Sequence, residues 1–376
     1  MHDNRDRYSL IKPSVFPEAD LIVRGILIVA IVLGHNRLLT THSSWFFGFV
    51  YKWHVHGFFF LALASRGLRS RSSRIADVLV RFLVPFFMFL TLGTAAIAMR
   101  GEFSLNAYLQ AAAIGSARLI NAACDISLFW FLPAFAGYLL FVGGVGQFLA
   151  RRRVPLAWLS AICVACLIIT YLLPKSVALF VPLGIPIVLY IFPGAVLFGA
   201  FNQRIERFGI KLRILSAFTC LIVFSLGLFY TYRDHLDISL FKYGQGTVIV
   251  FIAGIVVSVS ASLLLKAVAL SMPKSALSLI LAAIGKASLV IFLVHSFIQA
   301  PLVKGVQSLL PQSANAVNLA AALAISSISV AAGFWVDALL RRLPNLRELL
   351  LPHDRNAYVS VLDRIRRDPR SIIRRS

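Results

Sequence analysis

Arg24 and His35 are the residues from which chemistry is first read, because they stand eleven positions apart in one apolar run, DLIVRGILIVAIVLGH. On an ideal helix eleven residues turn through about 1100°, so both side chains lie on one stripe, about 16 Å apart along the axis. An always-charged guanidinium suits an anionic or carbonyl-bearing group, and a neutral imidazole can take a proton from a hydroxyl. The spacing fits one elongated ligand, or two ligands that meet between the residues. A local account fits it too: Arg24 paired with Asp20 one turn earlier, and His35 bonded to a backbone carbonyl.

His54, His56 and His295 also fall in apolar stretches. His54 and His56 are about 200° apart around a helix, so both cannot face one pocket unless the helix is irregular. Lys52 and Lys286 lie within or near such stretches as well, where a lysine can snorkel to the interface. Carboxylates near the histidines are lacking and there is no HExxH arrangement, so no metal is expected. Phosphate-cradling glycine loops, GxSxG elbows and dinucleotide fingerprints are absent. Cys124, Cys163, Cys166 and Cys220 show no disulfide framework or zinc spacing and read as packing residues.

These side chains must be positioned by helices in lipid. The chain of 376 residues is 59% hydrophobic and 14% charged, with a mean hydropathy of +0.84, too apolar to be hidden in one soluble core. Apolar runs long enough to cross a bilayer recur at about 21–39, 45–65, 78–98, 127–149, 154–173, 184–201, 214–231, 247–268, 280–300 and 316–340. Alternating strands of the barrel type are missing, so the expected fold is all-α, a polytopic transmembrane bundle of about ten helices. A charge inside such a span costs roughly 2.5–3.5 kcal/mol, which is why the residues above are candidates for function.

The net charge of +22 would suggest nucleic acid in a soluble protein; here it reports topology. Basic clusters at Arg66, Arg69, Arg71 and Arg74, at Arg151–Arg153, at Arg204, Arg207, Lys211 and Arg213, and after Arg341 all fall on one side of ten spans. Both termini are therefore expected in the cytoplasm. Residues 1–20 are polar and show no cleavable signal, 21–340 form one membrane domain, and 341–376 form a basic cytoplasmic tail. The tail carries an intermittent apolar stripe at Val359, Val361, Leu362 and Ile365, which suits either contact with anionic membrane lipid or a solvated anchor of topology. Glu102–Cys124 reads as an exterior loop with a short interfacial helix.

Four stretches resemble, in order, the acyltransferase-3 superfamily of integral membrane O-acyltransferases. Asp20 to His35 is similar to its first helix, with Arg, ten residues and His; His54 with Phe58-Phe59-Phe60 to its second-helix His and Phe-rich segment; Phe129-Trp130-Phe131-Leu132-Pro133 to its Trp-Phe-Leu-Pro signature; and Ser288 to His295 to its late Leu-His motif. The wording around Arg24 and His35 looks closest to the fucose 4-O-acetylase-like and polysaccharide acetyltransferase branch. Two departures stand out: Leu61-Ala62-Leu63-Ala64-Ser65-Arg66-Gly67 where many members continue with Ser-Gly, and His56 where Pro is usual.

The resemblance implies transfer of an acyl group, usually acetyl from cytoplasmic acetyl-CoA, to a hydroxyl of a glycan or glycolipid, in a bacterial inner membrane and without nucleic acid or metal. Arg24 would hold the donor, and His35 would be the base for the acceptor hydroxyl or a nucleophile carrying the acyl group. His54 and His295 would orient His35 or the acceptor. Trp130 would be a sugar platform or an interfacial aromatic. A transporter or flippase for a lipid-linked sugar is the alternative from another class, although no repeat symmetry is visible; a membrane sensor without catalysis is a third.

Overall fold

A computed structural model describes residues 11–42, 49–68, 75–152, 156–174, 177, 181–233, 248–309 and 315–372. Among these residues there are sixteen α-helices and no strand: α1 Pro17–Gly34, α2 Arg37–His42, α3 His54–Arg66, α4 Ile75–Ala98, α5 Leu105–Ile114, α6 Ala117–Cys124, α7 Phe131–Arg152, α8 Leu156–Leu172, α9 Ile185–Arg207, α10 Ile210–Arg233, α11 Val248–Ser271, α12 Ala276–Lys286, α13 Ser288–Leu309, α14 Asn315–Arg341, α15 Pro344–Leu350 and α16 Arg355–Arg367. Among the described residues seven of them, α4, α7, α9, α10, α11, α13 and α14, are long and apolar enough to cross a membrane; α8 and α12 are apolar but shorter. The protein is a helical, polytopic membrane bundle. The basic residues Arg69, Arg71, Arg74 and Arg153 lie outside the described residues.

The chain forms two compact units. The first comprises residues 1–68 and 191–337, the second 69–190 and 338–376. In the first, α1 packs against α3, α11, α12 and α13, and α10 pairs with α11. The first helix starts with Pro17 at its opening turn, where a missing N–H costs nothing, and with Glu18 and Asp20 at the positive end of its dipole. It ends earlier than the apolar run 21–39 suggests. Asn36 accepts from the Leu38 N–H at 3.1 Å and so caps α2, and its amide donates to the Ala322 carbonyl at 2.8 Å and to Ser326 Oγ at 3.0 Å. His35 therefore stands at the last turn of α1 and not inside a continuous span.

Two other expected spans differ in the same way. In the expected span 45–65, whose residues 45–48 lie outside the described residues, the helix is broken by a turn at Lys52 and Trp53, and α3 runs for 13 residues from His54. The run 280–300 is two helices, α12 and α13, jointed at Ala287. Apolar periodicity continues across this joint with no proline to mark it, so composition reads it as one span. Close backbone approach shows why α12 stops short: a Cβ on Gly25 would overlap the Leu281 carbonyl, and one on Gly285 would overlap the Leu21 carbonyl. The pairings 21 with 285 and 25 with 281 make α1 and α12 antiparallel neighbours at glycine distance. Gly57 likewise lets α3 approach Leu27.

The second unit packs α4 against α7, with Phe82 on Phe135 at 5.2 Å and Phe89 on Phe129 at 6.0 Å. The expected exterior loop over Glu102–Cys124 contains two helices, α5 and α6, turned apart at Gly115, where φ is +72° and Pro133 sits against the α-carbon. Asp354 caps α16, whose half-buried and buried residues, Ala357, Tyr358, Val361 and Ile365, fall on one face. That face rests against α4, and the Arg355 N–H donates to Asp77 Oδ1 at 3.1 Å.

Candidate active site

Two polar clusters occupy the two ends of α1, both within the first unit. At the N-terminal end, Lys266 of α11 is 0% exposed and lies between two carboxylates, 2.5 Å from Asp20 Oδ1 and 2.9 Å from Glu206 Oε1. Ser14 donates to Glu206 Oε1 at 2.6 Å and accepts from Lys266 at 3.1 Å; Asn202 and the Val15 N–H complete the Glu206 carboxylate. Ser65 of α3 donates to Asp20 Oδ2 at 3.1 Å and accepts from the Arg24 guanidinium at 3.2 Å. Two cations and two anions are thus joined through hydroxyls, a neutral set in a place where any one charge alone would be costly.

Lys266 bonds the Asp20 carboxylate directly, whereas Arg24 feels the charge of Asp20 and is hydrogen-bonded to it through Ser65. Arg24 therefore keeps most of its donors uncommitted among the described residues. Below this network Arg213 donates to the carbonyls of Glu206 at 3.0 Å and Leu270 at 3.3 Å, closing the ends of α9 and α11, and its guanidinium lies over Phe16 at 5.2 Å.

At the C-terminal end of α1 three histidines and a tyrosine converge. His35 Nδ1 is 2.8 Å from the Ile31 carbonyl. A carbonyl can only accept, so Nδ1 carries the proton and Nε2 presents a lone pair. The Tyr51 hydroxyl donates to that Nε2 at 3.1 Å. His295 of α13 stands edge-on to His35, with ring centroids 5.5 Å apart, and is fixed by the same logic: its Nδ1 is 2.8 Å from the Phe292 carbonyl. His54 packs edge-on against Tyr51 at 4.9 Å and is bonded through Nδ1 to the Val50 carbonyl at 2.5 Å. Gln299 donates to the Val32 carbonyl at 3.0 Å and ties α13 to the last turn of α1.

The structure therefore brings together His35, His54 and His295, and it places Arg24 and Asp20 in a separate cluster, about 16 Å and 22 Å from His35 along an ideal α1. His56, one residue beyond Val55 on α3, is buried beside Phe60. Trp130 belongs to the second unit, where it is 6% exposed and packs near Phe131. Lys266, Glu206, Ser65 and Tyr51 were not singled out in the sequence. The first two had a legible signal, since a lysine and a glutamate in or beside apolar runs are costly unless paired; Ser65 and Tyr51 had none.

Chemically, the C-terminal cluster is a set of imidazoles that each hold Nδ1–H on a backbone carbonyl, with no carboxylate or cation bonded to them among the described residues and one hydroxyl already resting on His35 Nε2. That arrangement can accept hydrogen bonds from hydroxyls. Among the described residues no group of three His, Cys, Asp or Glu side chains could hold a metal ion.

No curated protein and no solved structure matches the chain. The family described as "acyltransferase domain" does, over residues 21–337, a stretch that contains the three histidines and Tyr51, and Arg24, Ser65, Glu206 and Lys266 of the other cluster, but begins just after Asp20. By this match over most of its length, the chain belongs to the acyltransferase-3 family of membrane acyltransferases.

Proposed function

We propose that this protein moves an acetyl group from cytoplasmic acetyl-CoA to a hydroxyl of an exported or cell-surface glycan or glycolipid, in a bacterial inner membrane. The observation that carries the reading is the fixed tautomer of His35, whose Nε2 lone pair already accepts a hydroxyl at 3.1 Å. In the transfer step, the acceptor oxygen attacks the thioester carbonyl carbon while His35 Nε2 takes the hydroxyl proton. The carbon–oxygen bond forms, the carbon–sulfur bond breaks, and the imidazolium returns the proton to the departing thiolate. The Ile31 carbonyl, by holding Nδ1–H, supports the charge that appears on the ring.

Arg24 supplies a fixed cation for the donor. Its charge is not cancelled by a direct ion pair among the described residues, and Ser65 aims the guanidinium without consuming it. The exposed arginines of the basic loops suit the phosphates of CoA. The fucose 4-O-acetylase-like branch is supported by the wording around Arg24 and His35, and the glycan acceptor follows from that branch. The exposed arginine face of α16 suits anionic lipid as a partner.

Purified protein in nanodiscs, incubated with radiolabelled acetyl-CoA and a mixed glycolipid pool, tests the reading. Wild type is expected to label glycan. His35→Ala is expected to lose about 10²–10⁴-fold in rate, the usual contribution of a positioned general base. Arg24→Ala is expected to raise the KM for the donor. Folded wild-type protein that neither transfers label nor releases CoA would sink the proposal.

A further inference from the structure

Each of the three imidazoles in the cluster has its Nδ1–H committed to a backbone carbonyl, and each therefore offers one lone pair at Nε2. Two of those lone pairs meet a hydroxyl: Tyr51 lies on His35, and Ser296 Oγ is 3.4 Å from His295 Nε2. His54 differs. Its side chain is 0% exposed and its Nε2 has no hydrogen-bond partner among the described residues.

A buried acceptor left unfilled costs roughly 1–3 kcal/mol, and native proteins rarely keep one without a use for it. Folding alone does not require this group to be polar at Nε2, since the bond to Val50 uses the other nitrogen. The same Tyr51 ring touches both histidines. Its hydroxyl sits on His35 Nε2, and the His54 ring stands edge-on against it at 4.9 Å. The base and the unfilled acceptor thus flank one side chain, and that side chain already places a hydroxyl oxygen where a reacting hydroxyl would go.

Building on the transfer proposed above, we infer that His54 Nε2 is a binding site for a second hydroxyl of the acceptor. The acceptor class is then a vicinal diol, such as a sugar ring with two adjacent free hydroxyls, and not an isolated alcohol. One hydroxyl takes the place of the Tyr51 hydroxyl on His35 and reacts. Its neighbour donates to His54 and fixes which of the ring's hydroxyls is presented. Neutral imidazoles that only accept favour an uncharged hydroxyl donor, since a charged donor would have to be buried without a counter-ion.

The test uses the full chain in nanodiscs and the glycan that wild type labels. The acetylated carbon is located by NMR, and the acceptor is then prepared without the hydroxyl on the adjacent carbon. Wild type is expected to use the deoxy acceptor about 10-fold less well in kcat/KM, the scale of one lost hydrogen bond to a buried group. His54→Phe is expected to lower turnover of the intact acceptor by about 10-fold more than it lowers turnover of the deoxy acceptor. His54→Gln, which keeps an acceptor atom at about the same reach, is expected to recover part of the loss and guards against misfolding of the first variant. Equal use of both acceptors by wild type, or an equal fall on both in His54→Phe, overturns the diol assignment while leaving acetyl transfer intact. Absence of any labelled glycan with folded wild type overturns the transfer reading, and this inference with it.

Discussion

At the scale of single residues, the bond from Tyr51 to His35 has a consequence for water. In the proposed transfer, with no acceptor bound, Tyr51 occupies the lone pair that would otherwise activate water against the donor thioester. Tyr51→Phe frees it, at the loss of a bond worth about 1 kcal/mol, so acceptor-independent release of CoA is expected to rise about fivefold. A thiol assay without glycan measures it; an unchanged rate would remove Tyr51 from the account. Arg24 and His35 were legible in the sequence because a charge and an imidazole on one helical stripe in lipid need a reason. Tyr51 was not, since a tyrosine at the end of an apolar run is ordinary, and only the turn before α3 brings its hydroxyl to His35. The pairing of Lys266 with Asp20 was not legible for a similar reason: Lys266 is 246 residues away and reaches the carboxylate only in the folded bundle.

At the scale of elements, α1 is held by two kinds of contact that substitution separates. Glycine contact with α12 is steric. Gly25→Val and Gly285→Val each place carbon against a backbone carbonyl that cannot yield, and each is expected to destabilise the protein by about 1–3 kcal/mol or more, read as a lower unfolding temperature in detergent. Contact with α11 is ionic. Lys266→Met strands two buried carboxylates and is expected to cost about 3–5 kcal/mol, whereas combining it with Asp20→Asn and Glu206→Gln should return much of that stability. If the triple variant is no more stable than the single one, charge balance is not what Lys266 provides. Helix type and the long spans were readable from apolar content. The joint at Ala287 and the turn at Lys52 and Trp53 before α3 were not, because hydropathy records how apolar a stretch is and says nothing of where its backbone turns.

At the scale of the whole molecule, the charge pattern and the membrane act together. α16 follows α14 closely, buries Val361 and leaves Arg355, Arg364, Arg366 and Arg367 exposed beside Val359 and Leu362. Amide exchange over residues 355–367 is therefore expected to be slower in nanodiscs containing anionic lipid than in zwitterionic ones, and the difference should fade near 1 M salt, where screening acts within about 3 Å. Equal exchange in both lipids would assign the tail to solvent. The ion network at the foot of α1 also sets a timetable for synthesis. Chains grow at about 5–20 residues per second, so the ammonium that neutralises Asp20 appears on the order of 10–50 s after the carboxylate itself. For most of that interval the first helix carries Asp20 and Arg24 with neither Glu206 nor Lys266 yet made, and Glu206 is made before Lys266. Its final depth in the bilayer is consequently decided late, when the eleventh helix arrives to take up the charge.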